Sequence, residues 1–316
     1  VSRALGRYGV GLALVGVAAF WGGTFVLVKD AVARYPHLYS FLAIRFAIAV
    51  VAFAIMFPAS VRHVQPGTLK VGLIAGCFLT AGYVFQTWGL QDTSASKAAF
   101  ITGMFVVITP LMQAVLLRRP PRRLTLIGVV AAVAGLWLLS GGSDGAWTIG
   151  DTRVLLCAVA YSAHMIVLGS LGRRHDVRPL TLVQLATVTV VCGAVALAAE
   201  RPTLPNDGGV WGALVLTGVL GSAVAFAVQT YAQRFMSPSR TALILISEPA
   251  FGGLFGWVAG ERLGLGGLAG SALILTGMVF AEATGAREAV EGTAVLEPAL
   301  EGPPVAVADH EADTMR

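Results

Sequence analysis

Charge is scarce in this chain. Only 12% of its 316 residues are Asp, Glu, Lys or Arg, whereas 56% are hydrophobic and the mean hydropathy is +0.77. A soluble protein of this length could not keep so much apolar surface from water. Cysteine is scarce too: Cys77, Cys157 and Cys192 lie inside apolar stretches at unrelated spacings. That pattern excludes a disulfide framework and a metal-ligand motif, and leaves three packing thiols. Long polar connectors are missing, which leaves no room for an aqueous domain between the apolar stretches. The sequence also lacks a P-loop and an HExxH motif, and shows no cluster of carboxylates or histidines at a membrane face. These absences argue against ATP-driven pumping by this chain and against membrane-enzyme chemistry. The net charge is +5, but apart from one loop cluster at 118–123 the basic residues are scattered between apolar stretches, so no nucleic-acid surface is built. Neither a cofactor nor a metal is expected.

What the chain does have is ten apolar stretches. They run near 10–28, 38–57, 69–88, 98–117, 124–140, 154–171, 180–199, 210–231, 241–259 and 265–281. A bilayer core of roughly 30 Å takes about 20 such residues as helix, so the fold class is an all-α integral membrane protein with the lipid bilayer as solvent. The 38 glycines fit, because membrane helices use small residues for close approach. Arg3 and Arg7 before the first stretch imitate a secretory signal. Trp21-Gly22-Gly23-Thr24-Phe25 offers no small-residue cleavage site, so an uncleaved first span is expected. The segment 285–316 is acidic and poor in apolar residues, and reads as a disordered cytoplasmic tail.

Lysine and arginine fix the expected orientation. With the N-terminus in the cytoplasm, fifteen of them fall on inside segments and six on outside segments, with Arg45 left within a span. The positive-inside rule then places both termini in the cytoplasm. The densest cluster, Arg118-Arg119-Pro120-Pro121-Arg122-Arg123, anchors one inside loop.

The two halves of the chain resemble each other. Gln86-Thr87-Trp88 recurs as Gln229-Thr230-Tyr231, and Ser94-Ala95-Ser96-Lys97 as Ser237-Pro238-Ser239-Arg240. Thr109-Pro110 recurs as Glu248-Pro249, and Gly128 and Gly135 as Gly270 and Gly277. The offset stays between 139 and 143 residues. Five spans per half is an odd number, so the halves, 10–140 and 153–283, enter the membrane in opposite senses. Inverted repeats of this kind are a recurring plan among secondary transporters, with the site near the midplane between them.

The runs WGGTFVLVKDAV, PHLYSFLAIRFAIA and GLQDTSASKAAFITGMFVVITPL in the first half, and SPSRTALILISEPAFGGLFGWVAGERLGLGGLAGSALILTG in the second, resemble an EamA-type protein of the drug/metabolite transporter superfamily. The resemblance covers roughly residues 10–283. It implies ten helices in two inverted five-helix repeats, with the fifth and tenth helices peripheral. It also implies proton-coupled or facilitative export of small metabolites from a bacterial-type cytoplasmic (inner) membrane. A substrate is not implied.

Ionisable groups deep in an apolar span are costly and mark function by default. Arg45 and Glu248 are the clear cases, each about eight residues into its span. At 1.5 Å per residue, they lie roughly 6 Å apart along the membrane normal. If they pair, they form a staple or a gate. If they are separate, Glu248 can take up and release a proton while Arg45 offers a planar donor fork to a substrate carboxylate or phosphate. Each has a neutral mate in the other half: Gln184 for Arg45 and Thr109 for Glu248.

Pro110 and Pro249 each remove one helical hydrogen bond and are candidate hinges, with a static kink as the alternative. Trp21 and Tyr161 are approximate symmetry mates, as are Gln86 and Gln229. His164 follows Tyr161 by one turn, and Tyr83 precedes Gln86 by one. Together these could wall a cavity for a small amphipathic metabolite, and His164 is the second candidate for proton coupling. Gly252, Gly256 and Gly260 line one face of the ninth helix. Asp92, Lys97 and Asp151 lie near span ends and read as solvated loop residues. The expected function is a secondary transporter exporting a small organic metabolite or drug, amino-acid-like chemistry included, with a homodimer allowed. A facilitative channel or a non-transporting scaffold is the alternative.

Overall fold

The computed structural model describes residues 2–62, 64–116, 123–141, 147–201, 203–235, 238–245, 247–260, 264–273 and 275–277. The basic cluster at 118–122 and the tail 285–316 lie outside them. The described residues are almost wholly helical. Seven helices or helix runs are long and apolar enough to cross a membrane: Gly9–Arg34, Leu38–Met56, Pro66–Gly89, Ala95–Leu116, Ile149–Ser170, Val177–Ala199 and Gly208–Arg234.

In chain order the elements are α1 (Ser2–Arg34), α2 (Leu38–Met56), the short α3 (Ala59–Arg62), α4 (Pro66–Gly89), α5 (Ala95–Gly103) and α6 (Phe105–Leu116). Then come α7 (Arg123–Gly141), α8 (Ile149–Ser170), α9 (Val177–Ala199), α10 (Gly208–Gly218), a π-helical turn (Val219–Val224) and α11 (Ala225–Phe235). The series ends with α12 (Pro238–Leu245), α13 (Ser247–Val258) and a shorter apolar helix, Leu265–Gly277.

Local chemistry sets the helix starts. Ser94, Asp176 and Asp207 each accept a backbone N–H of the helix they open, and Pro66 occupies the first position of α4. Thr148 and Asp151 form a reciprocal capping box at the start of α8. Inside the spans, hydroxyls bond back one turn to the carbonyls of their own helix, as Thr80 does to Gly76, Thr187 to Val183 and Thr217 to Ala213. A polar residue in lipid is satisfied within its own helix in this way.

The closest helix pairs join the two halves. α4 packs on α8 and α9, α2 on α9, α1 on α13, and α5 and α6 on α8. Exchanging the halves maps α1–α13 onto α6–α8 and α2–α9 onto itself. α7 packs chiefly against α5 and α6 and so lies at the periphery. The α1–α13 crossing is backbone-close: a Cβ on Gly22 would sit 2.7 Å from Gly252 N and 2.9 Å from Glu248 O, while one on Gly252 would sit 2.4 Å from Ala99 Cβ of α5. The sequence places Gly260 on the same helical face, but it stands in the turn after α13 at φ +92° with open space around it. It terminates the helix rather than packing it.

Candidate functional site

A central cavity lies where α1, α2, α4, α6, α8, α11, α12 and α13 converge. It offers about 40 Å³ to the centres of water-sized spheres, room for a few waters. Its wall is nearly symmetric. Trp21, Thr24 and Phe25 on α1 face Tyr161, His164 and Met165 on α8, each pair at an offset of 140 residues. Tyr83 and Gln86 on α4 correspond to Phe226 and Gln229 on α11, and Phe105 corresponds to Leu245. Two lining residues break the pattern: Arg45 and Glu248. Their mates do not line the cavity, although both Gln184 and Thr109 are fully buried. The charge in the cavity is therefore confined to the two asymmetric positions.

Arg45 is 2% exposed and held from three sides. Its Nε donates to Ser222 Oγ at 3.2 Å, its Nη2 to Tyr83 OH at 3.4 Å, and its guanidinium lies 4.7 Å from the centre of the Tyr83 ring. The aromatic face and the two hydroxyls stabilise the cation without neutralising it. Nη1 has no hydrogen-bond partner among the described residues. Ser222 reaches Arg45 because the eighth span makes a π-helical turn at Val219–Val224. Within the same turn the Gly221 carbonyl accepts the Trp21 indole N–H at 2.8 Å. Such turns often mark functional positions in helices.

Glu248 is 5% exposed, and its carboxyl has no hydrogen bond or ion pair among the described residues. Arg45 and Glu248 therefore do not pair; both face the cavity separately. His164 is fixed by Gln184, which lies behind the wall rather than on it. The Gln184 amide donates to Leu180 O at 3.1 Å, so its oxygen accepts from His164 Nε2 at 2.8 Å. This places the proton on Nε2 and leaves Nδ1 as the acceptor of the neutral ring. Gln86 donates to Thr102 Oγ1 at 3.4 Å and accepts from Tyr161 OH at 3.5 Å. Gln229 donates to Gln233, which in turn donates to Met165 O at 3.3 Å. Rings close the wall: Trp21 against Phe226 at 5.5 Å, Tyr83 against Tyr161 at 5.7 Å, and His164 against Phe226 at 6.0 Å between centres. A Cβ on Gly82 would lie 2.2 Å from the Tyr161 ring, so the glycine is what lets Tyr161 reach the cavity.

At the end of the bundle where α1 finishes, the halves are tied together. Arg34 pairs with Asp207 at 2.9 Å, and Tyr35 OH donates to Thr203 O. The Asp207 carboxyl is held below the usual carboxylate range, chiefly by the Val210 N–H, with desolvation opposing and the Arg34 charge assisting. Glu200 accepts from Tyr39 N, Ser40 N and Ser40 Oγ, each at 2.8 Å, and so caps α2 from the other half. Asp92 pairs with Arg153. Asp151 and Lys97 are not the solvated loop residues that the sequence suggests. Asp151 is fully buried, accepting from Lys97 Nζ at 2.7 Å, Thr93 Oγ1 at 2.6 Å and Thr148 N at 2.8 Å. The turn at 90–94 brings Thr93 onto Asp151, giving the carboxylate enough donors to be buried.

Pro110 lies inside α6, and the interruption of the fourth span is at Met104, six residues earlier, where α5 gives way to α6. Pro249 is buried and is the third residue of α13; residue 246, which precedes that helix, lies outside the described residues. Sequence reasoning missed Thr24, Phe25, Phe105, Met165, Phe226, Leu245 and Ser222. The repeat offset carries a signal for Thr24 and Phe226, the mates of His164 and Tyr83, whereas Phe25 with Met165 and Phe105 with Leu245 are pairs of which neither member was expected.

Residues 8–141 and 148–282 each match the profile of the EamA-like transporter family. An uncharacterized transporter of Archaeoglobus fulgidus is 29% identical over 246 residues, covering 78% of this chain and 76% of the relative. The uncharacterized transporter YoaV of Bacillus subtilis is 22% identical over 294 residues, covering 88% and 98%. One crystal structure superposes with a TM-score of 0.67 at 20% identity, covering 89% of this chain and 99% of the other, a likeness of fold alone.

Proposed function

The chain belongs to the EamA-like transporter family, and from that premise we propose that it exports a small organic metabolite bearing a carboxylate, by alternating access. It is a multi-pass membrane protein and a membrane transporter. The proposal adds ten spans in two inverted repeats, 10–140 and 153–283, with both termini in the cytoplasm of a bacterial-type inner membrane. One observation carries the substrate reading: an unpaired arginine and an unpaired carboxyl share a cavity at the junction of the halves. The free edge of Arg45 would take the carboxylate as a charge-assisted pair of hydrogen bonds. Glu248 would take either the substrate's ammonium group, as an amino-acid-like ligand requires, or a coupling proton. The aromatic wall from Trp21, Tyr83, Tyr161 and Phe226 would cover the apolar part.

About 40 Å³ is too small for a metabolite, so loading requires the halves to part. With the Arg34 end tied, this structure corresponds to a contracted state closed at that end. Alternating access then means exchanging those ties for contacts at the opposite end. The test uses purified protein in liposomes, with counterflow of a metabolite panel measured with and without a pH gradient. Saturable exchange of carboxylate-bearing solutes supports a carrier of this class. Flux that never saturates would move the chain to the channel reading, and no exchange by folded protein to the scaffold reading.

A further inference from the structure

A second cavity of about 610 Å³ opens beside the first without sharing a lining residue with it. Its origin lies in the π-helical turn. Before the turn, α10 packs along α2; after it, α11 leans on α1 and α9, which leaves a gap beside the last turns of α2. Phe53 and Phe57 of α2, Val10 and Ala13 of α1, and Val228 of α11 make its walls apolar. Between it and the central cavity, the buried Leu14, Val17 and Ala18 fill α1, so this space is not the path to Arg45. A volume in the range of ligand sites, walled by membrane-spanning helices, suits a hydrocarbon chain.

The rim is polar and sits where the spans end. Asp176 caps α9, Arg178 is the second residue of α9, and Arg234 is the penultimate residue of α11. These three lie at or next to the ends of apolar spans, Val177–Ala199 and Gly208–Arg234, which is where headgroups are expected. Asp176 and Arg178 satisfy each other: Asp176 Oδ2 is 3.2 Å from Arg178 Nη2, and Oδ1 accepts from Arg178 N at 3.1 Å. Desolvation works against the Asp176 charge, yet the Arg178 N–H, the Arg178 side chain and the Arg234 charge together hold its carboxyl below the usual range. Arg234 has no hydrogen bond or ion pair among the described residues. The rim therefore carries one surplus positive charge, matching the single negative charge of a phosphodiester.

We propose that this cavity binds an anionic phospholipid, with the phosphate on Arg234 and an acyl chain between α2, α1 and α11. Lipid headgroup recognition by a basic residue at a span end, combined with chain burial, is physically ordinary. The site is independent of the transported substrate, so its failure would leave the proposed function untouched.

The test is native mass spectrometry of the purified protein exchanged into detergent with added phosphatidylglycerol or phosphatidylcholine. Wild type is expected to retain phosphatidylglycerol about 10-fold more than phosphatidylcholine, consistent with one charged contact. Arg234→Ala should erase that preference while keeping some of both lipids. Val228→Trp, which fills the cavity, should release both, with helicity and monodispersity checked for each variant. Equal retention of the two lipids by wild type would overturn the proposal. So would retention indifferent to both substitutions, or displacement of the adduct by inorganic phosphate alone.

Discussion

The two halves of the cavity wall agree at six pairs of positions and disagree at two. Where they agree, the residues are aromatic, apolar or neutral polar, as with Trp21 and Tyr161 or Gln86 and Gln229. Where they disagree, one half carries a charge and the other a neutral group that is withdrawn behind the wall. The matched positions can make a surface that looks alike from either side of the membrane. On the proposed function, directional chemistry would rest on Arg45 and Glu248, because a symmetric wall distinguishes neither the ends of a substrate nor the direction of a proton.

Removing the asymmetry should cost more than altering a matched pair. Glu248→Gln keeps the shape and deletes the charge; if Glu248 carries the proton, gradient-driven accumulation should be abolished while counterflow persists. Equal loss of both would assign Glu248 to substrate binding or structure. Arg45→Gln makes the position like its mate, Gln184. It should weaken carboxylate substrates about 10- to 100-fold, the worth of a lost charge-assisted pair, read as apparent affinity in counterflow. Asp151→Asn breaks a buried ion pair outside the cavity and should destabilise the fold by about 3 kcal/mol, with a lower melting temperature and unchanged substrate preference. Trp21→Phe keeps the ring and loses the bond to the Gly221 carbonyl. At about 1 kcal/mol, a change of about 5-fold in apparent affinity is expected, with no effect on proton coupling.

Much of this arrangement is visible in the chain itself. The apolar stretches fall on helices, although the first, 10–28, is eight and six residues short of the ends of α1, and the Gln-Thr-aromatic repeat at 86–88 and 229–231 aligns the halves. The same alignment, extended by one turn, would have added Phe226 as the mate of Tyr83. Apolar lining residues such as Phe105 and Leu245 stayed hidden because, in a helix apolar on every side, hydropathy does not distinguish a cavity from lipid. The π-helical turn that aims Ser222 at Arg45 depends on packing across the halves, with only Gly218 and Gly221 as local signs. The burial of Asp151 depends on the turn at 90–94 folding over it, which no local pattern encodes.

The most direct measurement of the central claim is counterflow in liposomes of an amino acid and of the amine left when its carboxylate is removed, in wild type and in Arg45→Gln. If Arg45 is the carboxylate donor fork, wild type prefers the amino acid, and the substitution removes that preference while exchange of the amine is unchanged. If both solutes lose exchange equally, Arg45 holds the cavity together rather than reading the substrate, and the account is wrong.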